Sequence, residues 1–413
     1  MSDGEAAARA AERAARGSYG RLVAFLAART RDVAGAEDAL GEAFAAALRL
    51  WPVDGVPDNP DAWLLTVARR RQTDAVRRDR TRGAGEDQLR LIAEELEEAA
   101  NAPAAIPDRR LALMFACAHP QIEAGLRAPL ILQTILGMTA AQIAAAFLIP
   151  PAAMGQRLVR AKTRIREAAI PFAIPEPEEL PARLEAVLDA IYAAYTRGWS
   201  EIGDAGAPEM TAEAIWLGRL VVTLLPGEPE ARGALALMLY AEARRTARRD
   251  AAGAYVPLEQ QDTSLWDDSQ IRLAEAQLHE ANRAGPTGRY QIEAAIQSAH
   301  VARRLTGVAN WPAILALYDH LLAHTASPVV VLNRAVALAE LAGPAVALAA
   351  IAPLAADTRL QTYQPYWAAL GHLSARAGDR TAALAALTVA IGLTTDPATR
   401  LWLQARKDAL RDG

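Results

Sequence analysis

The chain has 413 residues, of which 52% are hydrophobic, and it carries a formal net charge of -4 and a single cysteine. This composition excludes a disordered chain and a disulfide framework, because the apolar content suffices for sizeable cores and no second thiol exists. Alanine and arginine are abundant while β-branched residues and aromatics are sparse, so we expect an all-α fold. No apolar run is long enough to cross a bilayer, and residues 1–18 lack the apolar centre of a signal peptide, which predicts a cytoplasmic protein with no membrane partner.

Two adjoining segments near the start predict a helix followed by a stiff loop. Residues 35–52, GAEDALGEAFAAALRLWP, carry apolar side chains at helical spacing behind three acidic ones. The apolar positions are Ala39, Ala43, Ala46, Ala47 and Leu50, and the acidic ones are Glu37, Asp38 and Glu42. The next segment, WPVDGVPDNPDA (51–62), contains three prolines, a glycine and an asparagine. Such a loop is stiff and offers exposed polar groups to a ligand, for example an unstacked base.

The stretch WLLTVARRRQTDAVRRDR (63–80) holds six arginines and predicts a helix with one packed face and one cationic face. The packed face comprises Leu64, Leu65, Ala68, Gln72, Ala75 and Val76. The opposite face comprises Trp63, Arg70, Thr73, Asp74, Arg77 and Arg78. A cationic face of this kind either keeps a helix solvated or binds the phosphates of a melted DNA strand. Trp63 either stacks on a base or packs inward against the preceding loop.

A second basic block follows an acidic segment. Residues 80–108 are rich in acidic and small side chains and predict a solvated linker. Residues 137–167, GMTAAQIAAAFLIPPAAMGQRLVRAKTRIRE, then predict a helix-turn-helix. Thr139 and Gln142 form a capping box that begins its first helix, and the prolines at 150 and 151 end that helix and begin the next. The second helix buries Met154, Leu158, Ala161 and Ile165. Four polar side chains of this helix remain exposed and can contact bases or phosphates: Gln156, Arg157, Arg160 and Arg164.

The remainder of the chain reads as a separate helical region. Four prolines in IPFAIPEPEELPARL (170–184) prevent a helix from running through that segment. Residues 366–397 then show the small and apolar positions of a tetratricopeptide helix pair, which are Trp367, Leu370, Gly371, Ala383, Leu387 and Ala390. Stacked helix pairs of this type present a concave surface to peptides or proteins.

Residues with catalytic or metal-binding potential are few. His320 and His324 are four apart, as in a metal pair, but no third ligand is evident. Cys117, near His119, lies in an apolar stretch without an activating charge, which is typical of a buried core cysteine. We therefore predict no catalytic residue, no metal and no cofactor, and a protein that is not an enzyme.

The N-terminal 170 residues resemble an extracytoplasmic-function (group 4) RNA polymerase sigma factor. The likeness rests on AEDALGEAFAAALR, NPDAWLLTVARRRQTDAVRR and GMTAAQIAAAFLIPPAAMGQRLVRAKTRI, which resemble that family's regions 2.2, 2.3 to 2.4, and 4.2. It implies region 2 at 1–82, an acidic linker at 83–107, a helix-turn-helix region 4 at 108–172 and a helical extension at 173–413. QDTSLWD (261–267) and LNRAVALAE (332–340) are similar to the subgroup with a tetratricopeptide-like C-terminal extension, although Thr263 stands where that subgroup has arginine.

The resemblance also implies partners and roles for particular residues. Four would lie on or beneath the surface that docks to the β′ clamp helices of RNA polymerase core: Glu37, Asp38, Glu42 and Phe44. Gly41 departs from the glutamine common in the family. Seven would capture and melt the promoter −10 element: Asn59, Asp61, Trp63, Arg70, Thr73, Arg77 and Arg78. Four in region 4, which would also meet the β flap, would read the −35 element: Gln156, Arg157, Arg160 and Arg164.

The expected function is therefore that of a sigma factor, which directs promoter-specific transcription initiation. The extension at 173–413 would modulate that activity through a regulatory protein or an intramolecular contact, in a direction that the sequence leaves open. The alternative is a helix-turn-helix transcriptional regulator joined to a repeat scaffold and acting without polymerase core. The first 80 residues favour the sigma factor, because an ordinary regulator does not need them.

Overall fold

The computed structural model describes residues 8–11, 14, 18–20, 22–23, 25–27, 33–77, 108–167, 175–200 and 207–412. Within these ranges every regular element is a helix, so the predicted all-α class is confirmed. The chain divides into two compact units, Met1–Ala194 and Tyr195–Gly413. The linker predicted at 83–107 lies outside the described residues.

Unit 1 contains both of the basic segments noted in the sequence. Its described helices are α1 (Val33–Asp54), α2 (Pro60–Arg77), α3 (Arg109–Cys117), α4 (Ala124–Thr134), α5 (Ala140–Ala146), α6 (Pro151–Glu167) and the first part of α7 (Pro181–Ser200). Unit 1 contains both of the predicted modules and extends to Ala194. The domain boundaries expected at residues 82, 107 and 172 stay predictions. Arg183, only 4% exposed, fastens the start of α7 by donating from Nη1 to the carbonyl oxygen of Phe115 in α3 (3.2 Å).

Helices α1 and α2 pack together around a core that combines alanines with leucines and Trp51. The predicted alanines of α1 are buried, and so are Leu64, Leu65 and Ala68 of α2. Small residues let the two helix backbones approach closely, which explains the run of alanines in α1. Leu50 differs from the expectation, because it is 45% exposed near the end of α1.

Helices α5 and α6 form the pair predicted from the second basic block. The capping box is present: Gln142 N donates to the Thr139 hydroxyl (3.3 Å) and Thr139 N donates to the Gln142 side chain (2.7 Å). One detail of the prediction is wrong, since α5 ends at Ala146, before the prolines. The chain turns through Leu148, whose φ of 52° already breaks the helix, and α6 begins at Pro151.

Unit 2 begins in the last part of α7 and continues as a succession of helices. They are α8 (Ala207–Leu224), α9 (Pro229–Glu242), α10 (Asp268–Ala284), α11 (Arg289–Val301), α12 (Arg303–Thr306), α13 (Trp311–His324), α14 (Pro328–Ala342), α15 (Pro344–Ile351), α16 (Gln364–Arg376), α17 (Arg380–Leu393) and α18 (Pro397–Asp412). Helix α9 packs against α10 and α11, and α16 packs against α17. A Cβ on Gly371 would lie 2.9 Å from Cγ of Leu387, so glycine permits the close approach of α16 and α17 that the repeat pattern predicted.

The QDTSLWD segment shapes the turn between α9 and α10. Asp262 caps a short 3₁₀ turn, and Asp267 caps α10 by accepting from Ser269 N (2.8 Å) and Gln270 N (3.1 Å). The buried indole of Trp266 lies under the guanidinium of Arg303, 5.2 Å from the ring centroid. These residues therefore have a structural role in unit 2.

A partly buried histidine makes the stability of unit 2 depend on pH. Burial, reinforced by Arg244 and Arg303, lowers the pKa of His300 to about 4. An unfolded histidine titrates near 6.5, so protonation favours the unfolded state as the pH falls from about 6.5 towards 4. We expect the free energy of unfolding to fall by about 2 kcal/mol between pH 7 and pH 5 through this residue.

Urea titrations of the full chain at both pH values measure this loss. His300→Gln should abolish this part of the pH dependence, whereas His279→Gln, at an exposed histidine of α10, should retain it. Equal pH dependence in the wild type and His300→Gln would contradict the assignment.

Candidate nucleic-acid interface

The outer face of α6 is cationic. Its underside is buried at Met154, Leu158 and Ala161, which fixes the opposite face towards solvent. Gln156, Arg160 and Arg164 are exposed on that face, as the helical spacing predicts. A helix of 17 residues with exposed arginine and glutamine can enter a DNA major groove and contact phosphates or base edges.

The fourth predicted residue of this set, Arg157, is partly covered. Its guanidinium contacts the Glu123 carboxylate (3.3 Å), with the two side chains 33% and 66% exposed. The pair borders a cleft of about 490 Å³ between α6 and the loop before α4, which Arg127, Arg160 and Arg164 also line. An exposed ion pair of this kind is weak, so a phosphate can replace Glu123 as the partner of Arg157.

Arg127 is a further cationic residue of the cleft, and the sequence pattern did not predict it. Its guanidinium donates to the carbonyl oxygens of Ile122 (2.9 Å) and Pro120 (2.7 Å), which holds the side chain in place. Arg127 is the sole charged residue within α4. A single charge in an otherwise apolar helix is the sequence feature that could have indicated a role for it.

Two residues predicted to contact the −10 element make hydrogen bonds at the start of α2. Asn59 caps the helix by accepting from Ala62 N at Oδ1 (3.0 Å). The carboxylate of Asp61 accepts from the Ser18 hydroxyl (2.7 Å). Both contacts fix the loop that precedes the basic helix, and they leave the predicted DNA role of these residues a prediction.

Trp63 packs inward, although the helical spacing placed it on the cationic face. Its ring meets Trp51 edge to face, with centroids 5.4 Å apart and planes at 65°, and it lies against the core of α1 and α2. Arg70 is exposed on α2. Thr73 and Arg77 belong to α2 but their side chains lie outside the described set, as does the whole of Arg78.

The four residues predicted to dock to polymerase occupy different environments on α1. Asp38 is exposed, and Glu42 is exposed beside Arg71, whose Nε lies 3.2 Å from its carboxylate. Phe44 is partly buried against the core and stacks on Tyr19, with centroids 6.2 Å apart. Glu37 is only 7% exposed, so it lies beneath the surface that Asp38 and Glu42 present.

Glu37 makes an ion pair with Lys162 of α6, 125 residues away in the sequence. Burial raises the pKa of the Glu37 carboxyl, and the Lys162 ammonium opposes that rise. Lys162 has no predicted role in the sequence pattern. Lysine is rare in this chain, with two lysines among 44 lysines and arginines combined. That rarity is the sequence feature that could have indicated a role for Lys162.

The residues considered for catalysis or metal binding show no convergent site. Burial raises the pKa of the Cys117 thiol, which keeps it protonated at neutral pH and unsuited to nucleophilic attack. The rings of His320 and His324 lie 5.1 Å apart on α13. In the part of the chain that the structure describes, no three histidine, cysteine or carboxylate side chains come together as a metal site would require. None of the helices described combines the length and apolarity needed to cross a bilayer.

Comparison with known proteins places the α1–α2 segment in a recognised family. Residues 16–82 match the family described as Sigma-70 region 2. Residues 183–282, which cover most of α7 to α10, match a family of unknown function (DUF6596). The uncharacterized protein R00370 of Rhizobium meliloti (strain 1021) is 38% identical over 381 residues, which cover 91% of this chain and 90% of that protein. The chain belongs to the family of that protein. No solved structure matches the chain.

The region 2 match supports a sigma-factor role in promoter recognition. Sigma-70 region 2 implies interaction with RNA polymerase core and promoter DNA, and it belongs to a family of transcription factors that are not enzymes. The match ends at residue 82, so it includes the whole of α1 and α2 and none of α3 to α6.

Proposed function

We propose that this chain is an extracytoplasmic-function sigma factor that binds RNA polymerase core and directs initiation at promoters with −10 and −35 elements. The observation that carries the proposal is the combination of a Sigma-70 region 2 with a second basic helix, α6, whose arginines face solvent. The alternative, a transcriptional regulator that acts without polymerase core, would need only the basic helix α6 and no region 2.

In this proposal α5 and α6 act as a helix-turn-helix in region 4, which reads the −35 duplex and meets the β flap. The reading residues are Gln156, Arg157, Arg160 and Arg164, and Arg127 adds a further cation beside the helix. Since duplex DNA is densely charged, arginines that displace counterions supply affinity, and those that reach base edges supply specificity.

Region 2 would hold the melted −10 strand along the exposed side of α2. Arg70 is the described cation there, and Thr73, Arg77 and Arg78 continue the same face in the sequence. The contacts of Asn59 and Asp61 fix the loop leading into α2, which suits a rigid support for an unstacked base. Trp63 then acts by packing on Trp51 to position the loop, while the base contacts come from its neighbours.

Residues 173–413 would form a tetratricopeptide-like extension that modulates the sigma modules. Helices α16 and α17 approach each other closely at Gly371. Helix pairs of this kind can stack into a surface that binds a protein partner. The bond from Arg183 to Phe115 favours an intramolecular route as well, because it joins the beginning of the extension to α3 of region 4.

Binding of the purified full chain to RNA polymerase core tests the proposal. We expect a stable complex on gel filtration, and a weaker one with Asp38→Arg, because the substitution reverses an exposed charge on the proposed docking surface. Glu185→Arg makes the same charge change at an exposed site of α7 and should bind as the wild type does. DNA binding by the wild type without any core complex would instead support the alternative regulator.

A further inference from the structure

Three arginines of unit 2 carry charges that no described carboxylate neutralises. Arg244 and Arg248 belong to the α9–α10 segment (243–267), and Arg303 begins α12. Arg244 is only 8% exposed, and the other two side chains are partly buried. In the part of the chain that the structure describes, none of the three makes an ion pair with an aspartate or a glutamate. Three positive charges are therefore partly withdrawn from water with no opposite charge beside them.

Neutral groups accept the hydrogen bonds of these arginines. Arg244 donates to the side-chain oxygen of Gln297 in α11. Arg248 donates to the carbonyl oxygen of Trp199 (2.6 Å), and its guanidinium lies 4.2 Å from the centroid of that ring. Arg303 donates to three backbone carbonyl oxygens of the α9–α10 segment (2.8–3.2 Å). These contacts hold the side chains in place, and each guanidinium, with its five N–H donors, keeps donors for a further acceptor.

Two other arginines of the segment are neutralised, which makes the difference clear. Arg245 contacts the Glu242 carboxylate through two nitrogens (2.6 and 2.8 Å), and Arg249 contacts Asp396 (2.8 Å). Among the described residues, Nη1 of Arg249 nevertheless has no hydrogen-bond partner although it is buried, and the same holds for Nε1 of Trp266. Buried N–H groups normally have an acceptor. Two donors therefore remain for an acceptor that the described chain does not provide.

The three unneutralised guanidiniums lie close enough to influence one another. Burial lowers the pKa of Arg244 to about 10, and the charges of Arg248 and Arg303 add to that effect. Burial likewise lowers the pKa of His300 to about 4, with contributions from Arg244 and Arg303. At neutral pH all three arginines remain charged and the histidine is neutral. The cluster therefore carries three positive charges, and His300 adds none.

The charge of the cluster favours a phosphate over other small occupants. A buried charge is unfavourable unless an opposite charge accompanies it. A water molecule can accept from the free N–H donors but cannot neutralise the arginines. A carboxylate brings one negative charge, whereas a phosphate group brings about −1.5 to −2 at pH 7 and at least three acceptor oxygens. The planar fork of a guanidinium matches those oxygens in pairs.

We propose that Arg244, Arg248 and Arg303 form a phosphate-binding site in unit 2, whose ligand is inorganic phosphate or the phosphate group of a small ester. Because Arg248 and Arg303 are partly exposed, a small anion can reach the cluster from solvent. Binding stabilises the α9–α10 segment against α11 and α12, since the arginines come from both sides. The extension would thereby respond to the concentration of a phosphorylated small molecule. The site does not depend on the proposed sigma-factor function.

Calorimetric titration of the full chain with inorganic phosphate tests the site. Arg248→Gln should bind at least about tenfold more weakly than the wild type, because it loses a charged hydrogen-bond donor. Arg272→Gln, at an exposed arginine of α10, makes the same charge change and should bind as the wild type does. The arginines of α6 also attract phosphate, so Arg160→Ala with Arg164→Ala serves as a further control and should retain this binding.

Hydrogen exchange followed by mass spectrometry locates the bound phosphate. Compared with chloride at equal ionic strength, phosphate should slow exchange in residues 243–267 of the wild type, and this effect should be lost in Arg248→Gln. Exchange without phosphate shows whether each variant keeps the segment folded. Arg248→Lys retains the charge without the planar fork, so it should bind with intermediate affinity and decides the matter if Arg248→Gln unfolds.

The choice of anion distinguishes the remaining outcomes. Tighter binding of glycerol phosphate than of inorganic phosphate would identify an ester as the ligand, and the reverse order would identify inorganic phosphate. Acetate that binds as tightly as phosphate would overturn the phosphate assignment. The site itself would be overturned if the wild type showed neither heat of binding nor slower exchange in residues 243–267, or if Arg248→Gln and Arg248→Lys both bound phosphate as the wild type does.

Discussion

Replacing Arg160 and Arg164 with alanine is expected to cause a large loss of promoter duplex binding without loss of the fold. Both side chains are exposed on α6, opposite its buried face. Each lost phosphate contact lowers the slope of log K against log salt by about 0.9, and each lost base contact costs about 1 to 3 kcal/mol. Salt titrations of binding to a duplex that carries the upstream element measure both quantities.

A matched control removes two arginines elsewhere. Arg219 of α8 and Arg272 of α10 are exposed in unit 2, so Arg219→Ala with Arg272→Ala makes the same change in net charge. This control should retain the wild-type salt slope and affinity. If both double variants lose affinity equally, the charge of the whole chain accounts for binding and α6 is not the reading helix.

Gly233→Ala is expected to destabilise unit 2 strongly. A Cβ at this position of α9 would lie 2.7 Å from Gln291 N and 2.9 Å from the carbonyl carbon of Tyr290, at the start of α11. These are backbone atoms, so the two helices must separate to admit a methyl group. Overpacking of this kind costs about 1 to 3 kcal/mol, and about 3 kcal/mol is expected here because both neighbours are rigid.

The same place holds a polar contact that separation would break. The carboxylate of Glu230 accepts from Tyr290 N (2.8 Å) and Gln291 N (3.1 Å), which caps α11 from the neighbouring helix. Thermal unfolding followed by circular dichroism should show the Tm of Gly233→Ala lower by about 5 to 10 °C. Gly392→Ala, in α17 with open space around its Cα, should be neutral or slightly stabilising. Equal Tm values for the two variants would contradict the close packing of α9 on α11.

Local rules predicted much of unit 1, because they depend on residues near one another in the chain. The capping box of Thr139 and Gln142 forms as its spacing predicts, and the alanines of α1 are buried where the helical period puts them. The predicted end of α5 was wrong for a local reason as well. Leu148 takes a left-handed conformation, so the helix ends before the chain reaches the prolines.

Contacts between distant residues could not be predicted in this way. The partner of Glu37 is 125 residues away, and no periodicity in either helix relates the two positions. Trp63 packs inward because it contacts the ring of Trp51 on the preceding helix. A helical wheel considers α2 alone and cannot include that contact. The importance of Gly233 likewise depends on the backbone of α11 beside it, which no local pattern in the sequence indicates.

As proposed, this chain gives RNA polymerase its promoter specificity. The most direct test is transcription in vitro by purified core on fragmented genomic DNA from the source organism, with and without the full chain, followed by sequencing of RNA 5′ ends. We expect new, discrete start sites in the presence of the chain, preceded by two shared elements about 25 base pairs apart. An identical set of 5′ ends with and without the chain would contradict it.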